Sequence, residues 1–585
     1  ALTFTFLCNS IEVLQILNTG VFLDARDLFG MTISVLNVAA FFIAAAYVLN
    51  HRDLSPEQAS VAGLGDWLNR TWLRGRTPAS RIAERVVELP PLPWTTVEAA
   101  AMALIVGGAA LVRFWHLGHP AEIVFDEVHF VGQARHYIHN EQFLDPHPPL
   151  AKLLIAGGIL LFGDHPWSWR LANAVLGTLL VAVTWLLVRR MFHSRLASAL
   201  AAALIAGDGF FIVDSRIGCI DIVYLTFAAI AYLLLFCFIQ TRQFQVRKRL
   251  LLSIGVVLGL CLGSKLYVPG ITFLLVGGFL LLTIWRAQPA VDEDDSDFAA
   301  DGPGSVRIRV QWMAGAAMIV GSLSAIFYLA TFLPHYALGW WGGIADLLHY
   351  YKDVMWYENS VATATHPYAS PWWSWPLMLR PVAYWQSFPP HGAVATIWGA
   401  GNPLTWGAIV TAITITAVRT LEHPNLSRAF ILIGFVAYYV IWIPIGRILF
   451  LYHYMPSAYI GYLALAAVLA DLWNGAAEWW EGFALLLTTL PVIIIGAGHI
   501  ATVYQWGPAN LRSMTGLPLA AVLFIPYLLL ARHERLANRF VFAAFSIMAL
   551  VLFIYYLPVW LGTPVSRDGY YARMWLEGPG LRNWI

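Results

Sequence analysis

The sequence predicts an all-α polytopic membrane protein, and three observations carry that prediction. Hydrophobic residues make up 59% of the 585-residue chain and charged residues only 12%, about half the charged share of soluble domains. Apolar runs of roughly 18 or more residues recur, each long enough to cross ~30 Å of hydrocarbon as a helix. Arginine and lysine collect in alternate loops between these runs. The formal net charge of +1 leaves no electrostatic footprint for nucleic acid.

The first stretch, residues 1–20, contains Asn9 and Glu12 and lacks the basic start and cleavage site of a signal peptide. It reads as a weak membrane segment, and a start at Ala1 suggests trimming upstream. Clear segments follow at 30–50, 98–117, 169–189, 196–213, 219–240, 250–265, 268–285, 311–333, 403–418, 429–446, 449–470, 483–505, 515–532 and 540–561. About 13–16 transmembrane helices are therefore expected. The polar stretch 51–97 carries six arginines, and further basic clusters lie at 189–195, 242–249, 286–309, 419–428 and 532–539. Together they hold 21 of the 35 Lys and Arg residues. By the positive-inside rule that side is cytoplasmic, so loops 118–168 and 334–401 and the tail after Gly562 face outward. The acidic stretch 287–305 reads as a solvated cytoplasmic linker. Cys8, Cys219, Cys237 and Cys261 have neither metal-ligand spacing nor a disulfide framework and read as small buried side chains. No tandem repeat, separate soluble domain or signature of oligomeric state stands out.

The two long outward loops are not spacers. Loop 118–168 holds Asp126, Glu127, His129, Arg135, His136, Asp145, His147 and Lys152. Pro148 and Pro149 forbid a preceding helix and favour a sharp start to a short apolar one, 150–162, too short to span readily. Loop 334–401 is crowded with tryptophan and tyrosine around His366, Tyr368 and Arg380. Aromatic belts at the headgroups explain part of this, but not the polar residues among them. Asp208, Asp214, Arg216, Asp221, Lys265, Arg447, Tyr452 and His453 fall on the same side. Charges at membrane depth are costly, so a cluster of them marks a functional site.

Such a cluster suits a lipid-phosphate sugar donor. That chemistry needs cations where negative charge grows on the leaving phosphate, and a carboxylate base for the attacking hydroxyl. Arginine can hold two phosphate oxygens at once. A single base with direct attack inverts the anomeric centre, whereas retention usually needs a second, nucleophilic carboxylate. Which of Arg170, Arg216, Lys265 and Arg447 meets the phosphate is open at this stage.

An ordered series of motifs then narrows the class. It runs Asp126-Glu127-Val128-His129-Phe130, Asp145 with His147-Pro148-Pro149-Leu150-Ala151-Lys152, Trp169-Arg170-Leu171, and Ser215-Arg216-Ile217-Gly218 with Asp221. It continues with His366-Pro367-Tyr368, Trp375 through Pro381 including Arg380, Gly401-Asn402-Pro403, Tyr452-His453-Tyr454 and Arg573-Met574-Trp575-Leu576. Over roughly 98–585 the chain resembles the protein O-mannosyltransferase family, lipid-carrier-dependent glycosyltransferases of the GT-C fold. The resemblance implies inverting transfer of mannose from a polyprenyl- or dolichyl-phosphate-mannose donor to Ser/Thr hydroxyls of a polypeptide, without an obligatory metal or other cofactor. It places Asp126 at the catalytic acid-base position with Glu127 beside it, matches Arg113 and Arg170 to arginines needed for activity, and matches Asp145 to a first-loop aspartate. Arg113, Arg170, Arg216, Lys265, Arg447 and His453 form the expected donor-binding set. His129, Asp145, His147, His366, Tyr368 and Arg380 are expected at the acceptor or in loop organisation.

Loop 334–401 is too short for the MIR-repeat insert of the eukaryotic members, which implies a bacterial type in the inner membrane with its site on the periplasmic or extracellular side. Residues 1–97 fall outside the family pattern and read as an extra membrane segment or two with a basic cytoplasmic linker, preceding the transferase domain 98–585. The rival expectation is a GT-C transferase that moves another lipid-linked sugar onto lipid A or a cell-wall glycan, because no residue of the chain reads a peptide by itself.

Overall fold

The computed structural model describes residues 92–241, 243–265, 267–286, 303–578 and 581–582. The predicted segments 1–20 and 30–50, nearly all of the basic stretch 51–97, most of the acidic linker 287–305 and Cys8 lie outside the described residues. Helix α1 (Thr96–Phe114) is capped by the Thr95 hydroxyl, which accepts from the Glu98 amide at 3.1 Å. In the first long loop come α2 (Glu127–His139) and α3 (Leu150–Phe162). The α3 bounds match the expectation from Pro148 and Pro149, with Pro149 at the N-cap. Then follow α4 (Pro166–Phe192), α5 (Arg195–Gly207), α6 (Gly209–Asp214), α7 (Asp221–Gln240), α8 (Phe244–Leu262), α9 (Tyr267–Arg286) and α10 (Pro303–Ala330).

The second long loop is largely structured. It contains α11 (Leu333–Ala337), α12 (Ile344–Ser360), a 3-10 turn (Trp372–Leu377) and the antiparallel strands β1 (Val382–Ser387) and β2 (Ala393–Gly399). The bundle resumes with α13 (Pro403–Glu422), α14 (Leu426–Val440), the 3-10 turn Leu451–Tyr454 with α15 (Met455–Asn474), α16 (Trp479–Val503), α17 (Gly516–Leu530) and α18 (Glu534–Leu561). Strand β3 (Val565–Ser566) then pairs with Ala393 and Val394 of β2, ahead of the short α19 (Arg567–Tyr571).

Ten helices among the described residues are long and apolar enough to cross a membrane. α5, α8 and α14 alternate with them in the same bundle. α15 is apolar on every side and nearly every residue is buried, as expected for a helix surrounded by others. The chain is an integral membrane protein.

The two ends of the bundle differ in chemistry. At one end Arg189 and Arg195 share Glu98, and Arg419 bridges Asp471 and Glu481. The Ser427 hydroxyl donates to the Met191 carbonyl at 2.7 Å, tying two of the predicted basic clusters together. At the other end lie both long loops and the tail. His119 Nε2 meets the Gly562 carbonyl at 2.9 Å, and the Trp385 indole donates to Glu122. The basic clusters 189–195 and 419–428 thus lie together, away from the contacts that join the first loop to the second loop and the tail.

One expectation needs correction. The segment read as continuous over 196–213 breaks at Asp208. Its carboxylate caps α6 through the amides of Phe210 (3.0 Å) and Phe211 (3.4 Å), and accepts from the Asn402 amide (3.0 Å) and the Tyr462 hydroxyl (2.6 Å). Four donors satisfy one buried acid, which is why a charge sits in an apolar run. Gly401 is needed beside it, since a Cβ there would come within 2.8 Å of Asp208 Oδ2. The predicted helical class holds, and a small sheet β1–β2–β3 accompanies the helices. Its strands, VAYWQS and AVATIWG, are rich in β-branched and aromatic residues, the composition that fits a pleated surface.

Asp208→Ala strands donors that cost roughly 1–3 kcal/mol each when buried and unpaired. The expected outcome is a clear fall in the melting temperature of the detergent-solubilised protein, measured by tryptophan fluorescence; an unchanged melting temperature contradicts this role.

Candidate active site

The site is assembled at the loop end around the start of α2. Glu127 and Arg170 meet there in full burial. Arg170 Nε donates to Oε1 at 2.7 Å and Nη2 to Oε2 at 2.8 Å. Glu127 also accepts from the Val124 amide at 3.0 Å and the Gly218 amide at 2.7 Å. Arg170 fills its other donors with the carbonyls of Leu117, Pro120 and Glu122.

Asp126 precedes Glu127 but has the opposite environment. It stands at the N-cap of α2, makes no capping hydrogen bond and is half-exposed. Burial and the neighbouring Asp221 push its carboxyl up to about 6, against the pull of Lys265. Its position is set by Phe125, whose φ of 43° lies in the left-handed region that non-glycine residues rarely adopt. The Phe125 ring packs edge-on against Tyr384 at 4.8 Å, His366 at 6.0 Å, Phe450 at 6.2 Å and Tyr452 at 6.5 Å. Those rings come from the second loop and the approach to α15, so both halves of the chain hold the residue before Asp126.

Cations surround the open side. Lys265 pairs with Asp221 at 2.7 Å and sits 5.6 Å from the rings of Tyr224 and Tyr452. Arg447 pairs with Glu358 at 3.2 Å and remains partly exposed. His147 is held well below its usual range by burial and by the positive charges of Lys265, Lys152, Arg447 and His453. His453 is buried, its Nδ1 accepting from the Phe450 amide at 3.0 Å and its ring stacked on Tyr452 at 4.5 Å. An apolar groove of 590 Å³ opens between α9 and α10, lined by Leu262, Ile271, Leu274 and Tyr328. Tyr267 also lines it and has Glu358 and Arg447 as charged neighbours.

Several predicted donor-binding residues are engaged elsewhere. Arg113 is fully buried and donates to Ser215 Oγ at 3.2 Å and to the carbonyls of Ala109, Ile205 and Ala206. Arg216 donates to the carbonyls of Val112, Arg113, Trp115 and His116, capping the C-terminal end of α1; it does not pair with Asp214. With Arg170 saturated as well, the donors of these three arginines are taken up within the protein frame. The same holds for Glu127, expected among catalytic groups: its lone pairs are filled by protein donors. His129 is exposed.

The remaining expectations come together at this end. Asp145 pairs with Lys152 and accepts from the His147 amide at 3.1 Å and the Tyr137 hydroxyl at 3.4 Å. Arg380 donates to the Pro367 carbonyl through Nε at 3.0 Å and Nη2 at 2.7 Å, and lies over Tyr368 at 5.6 Å. It thereby fixes the turn that carries His366 and Tyr368. Sequence reasoning missed Phe125, Tyr384 and Glu358. Only their neighbourhood in space marks them; no spacing in the chain does.

The helical bundle, with its half-buried acid, the cations Lys265 and Arg447 and an apolar groove, has the GT-C fold of membrane glycosyltransferases. The yeast Pmt1-Pmt2 protein O-mannosyltransferase complex bound to the sugar donor shares this fold, with a TM-score of 0.62, 16% identity, and coverage of 87% of this chain and 94% of that one. ArnT from Cupriavidus metallidurans bound to undecaprenyl phosphate follows at a TM-score of 0.52 and 15% identity, over 81% of this chain and 78% of that one. Residues 344–578 match the C-terminal four TMM region of protein-O-mannosyltransferase, and residues 103–169 and 146–290 match dolichyl-phosphate-mannose-protein mannosyltransferase. The chain belongs to the protein O-mannosyltransferase family. A polyprenol-phosphate-mannose–protein mannosyltransferase of Mycolicibacterium smegmatis is 28% identical over 484 residues, 72% of this chain and 90% of that protein.

Arg170→Ala and Glu127→Ala should each lower activity and stability, because each leaves a buried charge unpaired at a cost of roughly 3–5 kcal/mol. The double variant should be no worse than the worse single, since the two act as one unit. Thermal melts and turnover of the three proteins check this; additive losses contradict it.

Proposed function

We propose that the protein transfers mannose from a polyprenyl-phosphate-mannose donor to Ser/Thr hydroxyls of polypeptides, with inversion, at the outer face of a bacterial inner membrane. The observation that carries the reading is a carboxylate whose side chain has no hydrogen bond among the described residues, Asp126, with Lys265 as its neighbouring cation. The names of the relatives support the donor and the acceptor class. The bias of basic residues toward the opposite end supports the outward orientation, and residues 98–585 act as the transferase domain.

The acceptor hydroxyl donates its hydrogen bond to Asp126 and its oxygen attacks C1 of mannose. The C1–O bond to the phosphate breaks with its electron pair going to the phosphate oxygen, and the proton passes to Asp126. Lys265 and Arg447 lie where the new phosphate charge appears, and the groove beside Tyr267 takes the start of the polyprenyl tail. His147 and His453 line the same space. His366, Tyr368 and Arg380 shape the acceptor side opposite the cations.

Asp126 must be ionised to accept the proton. With its carboxyl near 6, kcat/KM for a Ser/Thr peptide should fall as the pH drops below about 6 and level off above it. Asp126→Asn should lower turnover about 10²–10⁴-fold while donor binding survives. Purified protein, synthetic donor and peptide, with product followed by mass spectrometry, provide the test. Full activity of Asp126→Asn removes the base assignment, and transfer to lipid or glycan acceptors but not to peptide favours the rival acceptor class.

A further inference from the structure

Helix α12 carries two apolar faces, and the chain covers only one of them. Leu347, Tyr350 and Val354 turn inward and pack with Phe332 in a small buried cluster. Ile344, Leu348, Met355 and Trp356 turn outward and are between 62% and 69% exposed. At 3.6 residues per turn, Ile344, Leu348 and Met355 fall within about 40° of one another, which makes a continuous apolar stripe along the helix. Lys352 and Trp356 border the stripe, and both are exposed. His349 and Asp353 approach each other at 3.7 Å. They fall about 140–180° around the helix from Ile344, so the charged face lies opposite the stripe.

The helix is fastened where the membrane span α10 ends. The Tyr351 hydroxyl hydrogen-bonds the hydroxyl of Tyr328 in the last turn of α10. Tyr350 packs edge-on against Phe332, just beyond that span, at 5.2 Å. Around the same end of α10, Ile326, Leu329 and Leu333 are exposed as well, so the bundle is apolar to the outside at this level. Soluble surfaces rarely expose apolar side chains in a continuous run. Ile344, Leu348 and Met355 offer no hydrogen bond to a polypeptide backbone, which suits hydrocarbon better than a peptide. Lysine and tryptophan at the border are residues that settle at headgroup level. Toward its C-terminal end the same helix reaches the site, where Glu358 pairs with Arg447 at 3.2 Å.

We propose that α12 docks on the membrane surface at the long-loop end. It lies in the plane of the leaflet with Ile344, Leu348 and Met355 among the acyl chains, Lys352 at the lipid phosphates and the His349–Asp353 pair in water. Seated there, it holds Glu358 against Arg447. The consequence for the donor rests on the functional reading above, in which Arg447 meets the donor phosphate; the membrane seat does not.

The test uses the full-length protein in phosphatidylcholine nanodiscs. p-Benzoylphenylalanine is placed at position 348, 355 or 353, the protein is irradiated, and the adducts are identified by mass spectrometry. Positions 348 and 355 should give lipid adducts and position 353 none. Equal lipid labelling at all three overturns the proposal. So do adducts at 348 and 355 to a second copy of the chain or to acceptor peptide in place of lipid, or no adduct at all. For the link to the site, Leu348→Glu should raise the KM for polyprenyl-phosphate-mannose about fivefold, a loss of about 1 kcal/mol, with kcat within about twofold. Leu348→Phe, which keeps the apolar contact, should leave both constants as they are. A folding defect would lower kcat through the active fraction and leave KM alone. An unchanged donor KM in Leu348→Glu overturns the link between the membrane seat and Arg447. If no peptide is mannosylated, the functional reading fails, and the photolabelling still decides the membrane seat.

Discussion

Glu127 and Arg170 are both fully buried, and removing two such charges from water costs several kcal/mol per ion unless their remaining donors and lone pairs are engaged. In this fold they are engaged, and the partners that do so belong to the elements that form the site. The carbonyls of Leu117, Pro120 and Glu122 fold the first loop back onto the end of α4, and the Gly218 amide brings in the turn before α7. The pair works as a geometric lock on four segments of chain. Because Glu127 is turned inward to meet Arg170, Asp126 remains at the helix start facing the open space. The strained backbone at Phe125 is tolerated because rings from two distant segments over-determine its position.

The basic residues divide their labour by how many donors they have already used. Arg113, Arg170 and Arg216 satisfy carbonyls at helix ends and loop turns, a task for which a planar fork with five donors is well suited. Lys265 and Arg447 each keep one acidic partner, Asp221 and Glu358, and face the shared space. A cation held by a single carboxylate can exchange it for a phosphate or share both, whereas one buried among four carbonyls cannot turn without unfolding its surroundings. Loss of activity on replacing Arg113 or Arg170 is thus compatible with neither touching the donor.

Much of this was legible in the chain. Composition and loop charge are enough for the helical bundle and for which turns share an end, and Pro148-Pro149 fixes the start of α3. The ordered motifs bring Asp126, Asp145, His147, His366, Tyr368 and His453 to one end, where the structure has them. What could not be read was direction. Asp126 and Glu127 are adjacent acids in sequence, and only Arg170 and Gly218, 43 and 91 residues away, decide which turns inward. The arginines near helix ends looked alike for the same reason. The break at Asp208 was hidden because its partners, Asn402 and Tyr462, lie about 200 residues or more downstream. The β1–β2 hairpin was masked by an aromatic-rich loop in an otherwise helical sequence.

In the proposed mechanism one carboxylate acts as base while the phosphate leaves directly, with no covalent sugar–protein intermediate. The anomeric configuration of the product tests this most directly, using a synthetic polyprenyl-phosphate-mannose of defined anomer and a Ser/Thr peptide, with the C1–H1 coupling read by NMR. Direct displacement gives a product whose configuration at C1 is inverted relative to the donor. Retained configuration would contradict it, and would require a carboxylate that attacks C1 as a nucleophile where Asp126 acts only as a base.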